Sequence, residues 1–345
     1  NRAIARLGLD ILRSGPRPGI AALLARAGGA SAAVDLETVA FALAPRLNAA
    51  GRVGEAAEAA ALLLTDDPAE AATLAEALEA ANLTRRDLTR GAMDEARAAL
   101  GEAVASSSAV VVRGPWPVGI VGLVAARLAE ETGRPAVVGA ELGAVVRASC
   151  RSGGAVDLAA TLERCGDLLL RHGGHAGAAG FEIAADRWDA FRERFLGLSE
   201  TTRPADGRPA LQVDLAMPAR TVDYALLRDL RRLAPTGPGN PEPLVAILGL
   251  TVARVRAANG GHTQLTLRRD PDVLDAIAFG RDDLPGLLTE GERVDVVARL
   301  ASRTFGGFES LQLEVRDVAP SGSHPAAAAV LAGAGGIASL AGTTG

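Results

Sequence analysis

The sequence contains no lysine, so all 36 of its basic residues are arginines, and aromatic residues make up only 3% of its 345 positions. Alanine and glycine are abundant instead, which is typical of a GC-rich coding sequence. The number of arginines is therefore weak evidence for nucleic-acid binding by itself. The formal net charge of −5 argues against a broadly basic surface. A nucleic-acid site must be a local patch of guanidinium groups, which pair well with phosphate.

Cysteine is also scarce. Cys150 and Cys165 lack the short spacing of a metal motif, and a single pair cannot form a framework of disulfides. The sequence has no run of about 18 uncharged apolar residues, and no basic N-terminal region followed by an apolar one. We therefore expect a cytoplasmic protein without membrane contact. The chain begins at Asn1 within a helical pattern, which predicts further sequence upstream.

The N-terminal part has the spacing of helices. Residues 1–66 carry apolar side chains every three or four positions, and Asp66-Asp67-Pro68 is typical of a helix start. One long helix is predicted over residues 67–104, longer than a small domain needs, so it should connect two bodies. From residue 105 to 200 strands alternate with helices, which indicates an α/β domain.

The C-terminal part is rich in short strands. Residues 208–318 have the pattern of a small barrel such as an OB-fold. Residues 319–345 contain too little apolar bulk to pack and are predicted to be a disordered tail. The expected fold class is therefore α/β plus β-barrel, preceded by helices.

The run Leu170–Phe181 (LRHGGHAGAAGF) is the most informative motif. Gly173 and Gly174 would let the backbone approach a ligand closely, as in a phosphate-binding loop, and His175 could donate a hydrogen bond or a charge to a phosphate oxygen. A glycine-rich turn with a surface histidine is the alternative, because a glycine loop alone is a weak signal.

Arg147, Ser149 and Arg151 alternate along a predicted strand, which places them on one face, and Ser152 follows directly. Two guanidinium groups flanking a hydroxyl would bind a phosphate well. The alternative is an exposed edge strand with solvated arginines.

The run Pro45–Arg52 (PRLNAAGR) is predicted to join two helices through a turn of small residues. Arg46, Asn48 and Arg52 are its polar groups and are candidate phosphate or DNA contacts. A loop that only caps a helix is the alternative.

Together these runs resemble the RecJ family of the DHH phosphoesterase superfamily over about residues 1–318. Arg46–Arg52 is similar to a run near the end of the family's catalytic DHH domain. Four further runs resemble the family's DHHA1 domain: Trp116–Gly122, Arg147–Ser152, Gly173–His175 and Ala178–Gly180. Gly237–Pro243 (GPGNPEP) and the barrel after it resemble the family's OB domain.

The resemblance implies a 5′-to-3′ exonuclease of single-stranded DNA, active in DNA repair and recombination, with two divalent ions, manganese or magnesium, held by the DHH domain. The sequence has no DHH run, and the paired acids Asp66-Asp67 and Asp282-Asp283 have no adjacent histidine. Residues 1–66 would thus be a helical remnant of that domain. We expect this fragment to bind no metal, to lack the catalytic acids, and to bind DNA without cutting it.

The expected partner is single-stranded DNA with a 5′ end, with a single-strand-binding protein or a helicase as further partners of a monomer. The family commonly has histidine where this chain has Pro117, which removes a polar group near the cleft. Two alternatives stay open. The chain could be a non-catalytic module that binds single-stranded nucleic acid, or a phosphodiesterase of the same superfamily acting on oligonucleotides or cyclic dinucleotides.

Overall fold

The structure is a computed structural model that describes residues 1–28, 34–101, 107–154, 156–200, 211–237, 239–269, 271–305 and 308–323. The chain divides into two compact units. Within the described residues, no helix is both long enough and apolar enough to cross a membrane.

Helices form the first part of the N-terminal unit. They are α1 (Arg2–Ser14), α2 (Pro18–Arg26), a π-helical segment (Thr38–Leu43) that continues into α3 (Ala44–Val53), and α4 (Ala56–Leu64). Leu23, Leu24 and Leu62 are buried in their common core. The turn predicted within Pro45–Arg52 is wrong, because the whole run lies in α3. Pro45 lies at the junction where the π-helical segment passes into α3.

The long predicted helix is present as α5 (Pro68–Leu100), which has 33 residues. Asp67 caps its start, since the carboxylate accepts a hydrogen bond from the backbone N–H of Ala69 at 2.9 Å. At 1.5 Å per residue the helix is about 50 Å long. It ends at Leu100, short of the predicted end at residue 104, and residues 102–106 lie outside the described part of the chain.

A five-stranded sheet follows α5. Its elements in chain order are β1 (Val110–Gly114), α6 (Val118–Thr132), β2 (Ala136–Leu142), β3 (Val145–Arg151), α7 (Leu158–Glu163), β4 (Leu169–His175), β5 (Ala178–Ala184) and α8 (Trp188–Glu200). The strand order is β1-β2-β3-β5-β4, and only β1 and β2 pair in parallel. β3 is thus an internal strand, so the alternative of an edge strand is wrong.

The glycine-rich run is not the predicted loop. Gly173 and Gly174 lie in β4, and Gly180 lies in β5, its antiparallel partner. Helix α7 ends at Glu163, and Leu169 and Leu170 belong to β4. Pairing with the alternating strand β5 outweighs the helical spacing of the leucines around residue 168, because strand preference depends on tertiary partners.

The two faces of this sheet differ. On one face α7 and α8 pack through Leu158, Phe191 and Phe195 against Cys150 and Phe181. On the other face, the described core is formed by α5 and α6 over β1 and β2. β3, β5 and β4 extend beyond that core, and their residues on this face are exposed or only partly buried.

The C-terminal unit is a barrel. Its elements are β6 (Leu215–Pro218), α9 (Tyr224–Arg231), β7 (Val245–Ala258), β8 (His262–Arg268), β9 (Val273–Ala278), α10 (Leu284–Leu287), β10 (Arg293–Phe305) and β11 (Phe308–Pro320). β10 pairs with both β11 and β7, which closes β7-β8-β9-β11-β10 into a ring, and β6 adds in parallel beside β7. This confirms the predicted OB-fold. β11 extends to Pro320, past the predicted end at 318, and the rest of the predicted tail from residue 324 lies outside the described residues.

Candidate phosphate-binding site

The exposed face of β3, β5 and β4 carries three rows of residues that cross the strands. The register places Arg147, Glu182 and Arg171 in the first row. The second row consists of Ser149, Gly180 and Gly173, and the third of Arg151, Ala178 and His175. Residues opposite each other in antiparallel strands point to the same side of a sheet. We call these nine positions the site face.

The first row is an ion-pair cluster. Arg147 Nε donates to Glu182 Oε1 at 2.6 Å, and Arg171 Nη2 donates to the same oxygen. These hydrogen bonds, from Arg171 first and then from Arg147, lower the pKa of the Glu182 carboxyl. The charge of Arg147 is therefore partly compensated within the protein.

In the second row, Gly180 and Gly173 have no side chains that could cover the backbone of the sheet. A side chain at Gly173 would have no atom within 4 Å, so the space above its backbone is open. The adjacent Gly174 is different: it has a φ of 145°, and a Cβ there would lie 2.4 Å from Ala179 Cα. Gly174 thus maintains the pairing of the strands, whereas Gly173 keeps the face accessible.

Arg151 and His175 stand in the third row. Arg151 Nη1 donates to Ser149 Oγ at 3.1 Å and to the Cys150 carbonyl oxygen at 2.7 Å. Arg151 forms no ion pair with any described residue. His175 is exposed, with the small Ala178 between it and Arg151. Ser152 follows outside the strand, and its hydroxyl oxygen accepts a hydrogen bond from the Gly154 backbone N–H at 3.2 Å, a contact within the turn.

Helix α6 contacts both this face and Arg52, the last residue of the Pro45–Arg52 run. A Cβ at Gly122 would lie 3.2 Å from Ser149 Oγ and 3.4 Å from Arg151 Nη2. One turn earlier, a Cβ at Gly119 would lie 2.0 Å from the backbone oxygen of Arg52, so only glycine fits. Arg52 Nη1 donates to the Gly119 carbonyl oxygen at 3.0 Å. Positions three residues apart on a helix differ by about 4.5 Å along its axis, so Arg52 lies near Ser149 and Arg151.

The other two polar residues of α3 have different environments. Arg46 pairs with Glu79 and donates to the Ala42 carbonyl oxygen at 2.7 Å, and its side chain is only 14% exposed. Asn48 is exposed. The four arginines predicted to contact phosphate or DNA thus fall into two classes. Arg46 and Arg147 have carboxylate partners, whereas Arg52 and Arg151 have none among the described residues.

Glu182 and the glycines of α6 are parts of the site that sequence reasoning missed. Glu182 lies two positions after Gly180 in an alternating strand, so the alternation itself could have placed it on the same face. The role of Gly119 depends on a contact with Arg52, 67 positions away, which no local pattern reveals.

Possible metal ligands are not clustered in the part of the chain that the structure describes. Within the described ranges, no group of three or more histidine, cysteine, aspartate or glutamate residues could hold a metal ion. The described residues thus do not fit a two-metal centre.

Two family models match the chain: the DHHA1 domain over residues 106–198 and the RecJ OB domain over residues 213–317. Among curated proteins, the single-stranded-DNA-specific exonuclease RecJ of Bacillus subtilis is 32% identical over 93% of this chain and 42% of its own length. That of Dickeya dadantii is 33% identical over 93% of this chain and 58% of its own length. The chain thus spans about half of these relatives.

A solved structure agrees over nearly the whole chain. RecJ from Thermus thermophilus in complex with Mn2+ has a TM-score of 0.79 and 30% identity, covering 94% of this chain and 47% of that one. A second structure of the same protein holds Mg2+ and has a TM-score of 0.78. The Thermus thermophilus protein thus binds divalent metal ions.

Sheet and barrel together define a protein that joins a DHHA1 domain to an OB domain. The chain belongs to the RecJ family. These relatives do not favour a phosphodiesterase of oligonucleotides or cyclic dinucleotides.

Proposed function

We propose that this chain binds the 5′ end of single-stranded DNA, with the terminal phosphate held by Arg52, Ser149 and Arg151. The observation that carries the proposal is the uncompensated charge beside α6. The two guanidinium groups have no carboxylate partner among the described residues, and Arg151 donates a hydrogen bond to the hydroxyl of Ser149 on the open sheet face. Charge-assisted hydrogen bonds from arginine to phosphate are among the stronger polar contacts in proteins.

The other predicted residues have supporting roles in this proposal. The open space at Gly173 would admit the sugar and base of the first nucleotide. His175 stands two strands from Arg151, about 10 Å away at the usual strand spacing, and would contact the sugar or base of the first nucleotide beside Gly173. Arg147 would add a weaker contact, because Glu182 already compensates it. Arg46 would help to position α3 through Glu79, and Asn48 would offer an exposed polar group.

We infer that a RecJ-family protein containing this chain and a complete DHH domain hydrolyses single-stranded DNA from its 5′ end, in repair and recombination. The names of the curated relatives support the exonuclease activity. The metal ions, manganese or magnesium, would be held outside the residues described here. The chain alone is therefore expected to bind a strand without releasing nucleotides. A single-strand-binding protein or a helicase is the expected partner of a monomer.

The test compares two ten-residue thymidine oligonucleotides, one with a 5′ phosphate and one with a 5′ hydroxyl, by fluorescence anisotropy at several salt concentrations. We expect tighter binding of the phosphorylated strand and affinity that falls with salt. Arg151→Gln should weaken binding of the phosphorylated strand by about tenfold or more, the usual effect of losing a hydrogen bond between charged groups. It should also remove the preference for the 5′ phosphate.

Arg194→Gln is the matched control. Arg194 lies on α8, which covers the opposite face of the sheet, and it pairs with Asp167. Its replacement should leave both affinities unchanged. Equal binding of the two strands by the unaltered chain, or equal losses in the two variants, would contradict the assignment. Nucleotide release by the chain with Mn2+ would contradict its expected inactivity.

A further inference from the structure

Helix α5 carries a continuous inward stripe whose middle is polar. Its residues recur every three or four positions, the spacing of one helix face. They are Ala71, Ala75, Leu78, Asn82, Arg85, Thr89, Ala92, Met93 and Ala96. The first three belong to the core of the N-terminal helices, and the last three to the core under α6. Asn82, Arg85 and Thr89 therefore lie where the two apolar cores stop.

The guanidinium group of Arg85 has hydrogen-bond partners for only some of its donors. Its Nη2 donates to Asn82 Oδ1 at 2.9 Å, and the Asn82 side chain is buried. The Nε of Arg85 is buried and has no hydrogen-bond partner among the described residues. A buried donor without an acceptor costs about 1–3 kcal/mol, and more when it is charged. An acceptor from outside the described residues would remove this cost.

Like charges surround the same group. Burial lowers the pKa of Arg85, and the neighbouring charges of Arg52, Arg127 and Arg86 lower it further, in that order. Arg86 and Arg127 form no ion pair with the described residues, and the partner of Arg52 is a backbone carbonyl. The charges of three guanidinium groups thus act on Arg85, and none of the four groups has an ion pair with the described residues. An anion would reduce their mutual repulsion.

The geometry of α6 connects this cluster with the site face. At 100° per residue, Gly122 lies about 60° to one side of Gly119 on the helix and Arg127 lies about 80° to the other side. Gly122 lies against Ser149 and Arg151, and Gly119 lies against Arg52. This side of α6 therefore has arginine on both flanks. Its own residues there are three small ones and one partly buried leucine, namely Gly119, Gly122, Ala126 and Leu123.

We propose that Arg85 and Arg127, together with Arg52, form a second phosphate site, which binds an internal phosphodiester of the strand whose 5′ end occupies the site face. The proposal rests on the function proposed above and extends it. The strand would cross this side of α6, with Arg52 between the two phosphates and a sugar or base against the apolar side chain of Leu123. The planar guanidinium of Arg85 would direct its Nε–H at a phosphate oxygen.

The test uses the same two oligonucleotides with Arg127→Gln and Arg85→Gln. Arg127 is exposed and its replacement should not disturb folding, so the experiment does not depend on the partly buried Arg85. We expect each variant to bind both strands about tenfold more weakly. The preference for the 5′ phosphate should remain, because the terminal phosphate is bound elsewhere. The slope of log K against log salt should fall by about 0.7, the value for one phosphate contact on a single strand.

Arg90→Gln is the matched control on the same helix, since Arg90 is 67% exposed and pairs with Asp87. The outcomes separate the two proposals. If Arg151→Gln removes the 5′-phosphate preference while Arg127→Gln changes neither affinity nor salt slope, the second site is wrong and the first stands. If the unaltered chain binds neither strand, the proposed function itself fails. A loss of 5′-phosphate preference in Arg127→Gln would also overturn the second site, because it would place Arg127 at the strand terminus.

Discussion

Arg151 donates a hydrogen bond to Ser149 Oγ across 3.1 Å, from a position two residues later on the same strand. The two side chains share a face because β3 alternates, and Val146, Ala148 and Cys150 point into the core on the other side. The hydroxyl thus holds one edge of a guanidinium whose remaining donors are available to a ligand. The two residues should act as one unit.

This coupling predicts the behaviour of a double variant. Ser149→Ala should weaken binding of the 5′-phosphorylated strand by about fivefold, because one hydrogen bond of roughly 1 kcal/mol is lost. Combining it with Arg151→Gln should cost little more than Arg151→Gln alone, since the serine acts largely through the arginine. Anisotropy titrations of the four proteins would measure the coupling. Fully additive losses would show that the two side chains bind independently.

A second prediction separates the two arginines of β3. Arg147→Gln should weaken strand binding clearly less than Arg151→Gln, because Glu182 already accepts a hydrogen bond from Arg147 at 2.6 Å. Glu182→Gln should strengthen binding at low salt, since it removes a negative charge and releases two guanidinium groups. The same titrations at pH 7 and two salt concentrations would test this order. An equal loss for both arginine variants would contradict it.

The third prediction concerns stability and pH. Hydrogen bonds from Arg171 and Arg147 lower the pKa of Glu182 in the folded chain, so the ionised carboxylate stabilises the fold. That contribution is complete above the unfolded pKa of about 4.3 and disappears as the pH falls through the lowered folded value. Urea denaturation should therefore show Glu182→Gln to be less stable than the unaltered chain at pH 7. The difference should shrink towards pH 3, and a constant difference would contradict the assignment.

The sequence could reveal the face of β3 but not the strands beside it. In β3 the alternation of apolar and polar residues is visible, and the structure places Arg147, Ser149 and Arg151 together as expected. In β4 the glycines have no side chains, so no period can be read, and a loop was predicted where a paired strand lies. Pairs such as Arg171 with Glu182 depend on register, which only the folded sheet defines.

The barrel and the long helix were easier to predict. Both have local signals: the capped start at Asp67 for α5, and repeated short strands for the barrel. The arginine cluster around Arg85 was missed for a different reason. It assembles from α3, α5 and α6, and each arginine alone resembles an ordinary surface residue. The one local signal was the polar interruption at Asn82, Arg85 and Thr89 in an otherwise apolar stripe.

The adjacent glycines of β4 provide the fourth prediction. Gly174→Ala should destabilise the chain by about 2 kcal/mol or more, because a Cβ would lie 2.4 Å from Ala179 Cα and the φ of 145° disfavours any side chain. Gly173→Ala should retain nearly full stability, since nothing lies within 4 Å of its Cβ. Thermal denaturation of both variants would measure the contrast.

The same pair separates folding from binding. Gly173→Ala adds a methyl group to the open part of the site face and should weaken strand binding although the protein remains folded. If it binds as well as the unaltered chain, the strand does not approach that part of the sheet. If Gly174→Ala is as stable as Gly173→Ala, the prediction that a side chain at residue 174 strains the backbone is wrong.

The contact between Gly119 and the Arg52 backbone sets how closely α3 approaches α6, and thereby the distance from α3 to β3. The groups proposed to bind phosphate come from two separate elements, α3 and β3, and α6 contacts both of them. With hydrogen as the side chain at position 119, α3 and α6 approach as far as their backbones allow. Any larger residue would push α3 away from α6 and widen the opening proposed to hold the phosphate. The reach of Arg52 towards the proposed phosphate would thus depend on the absence of a single carbon atom.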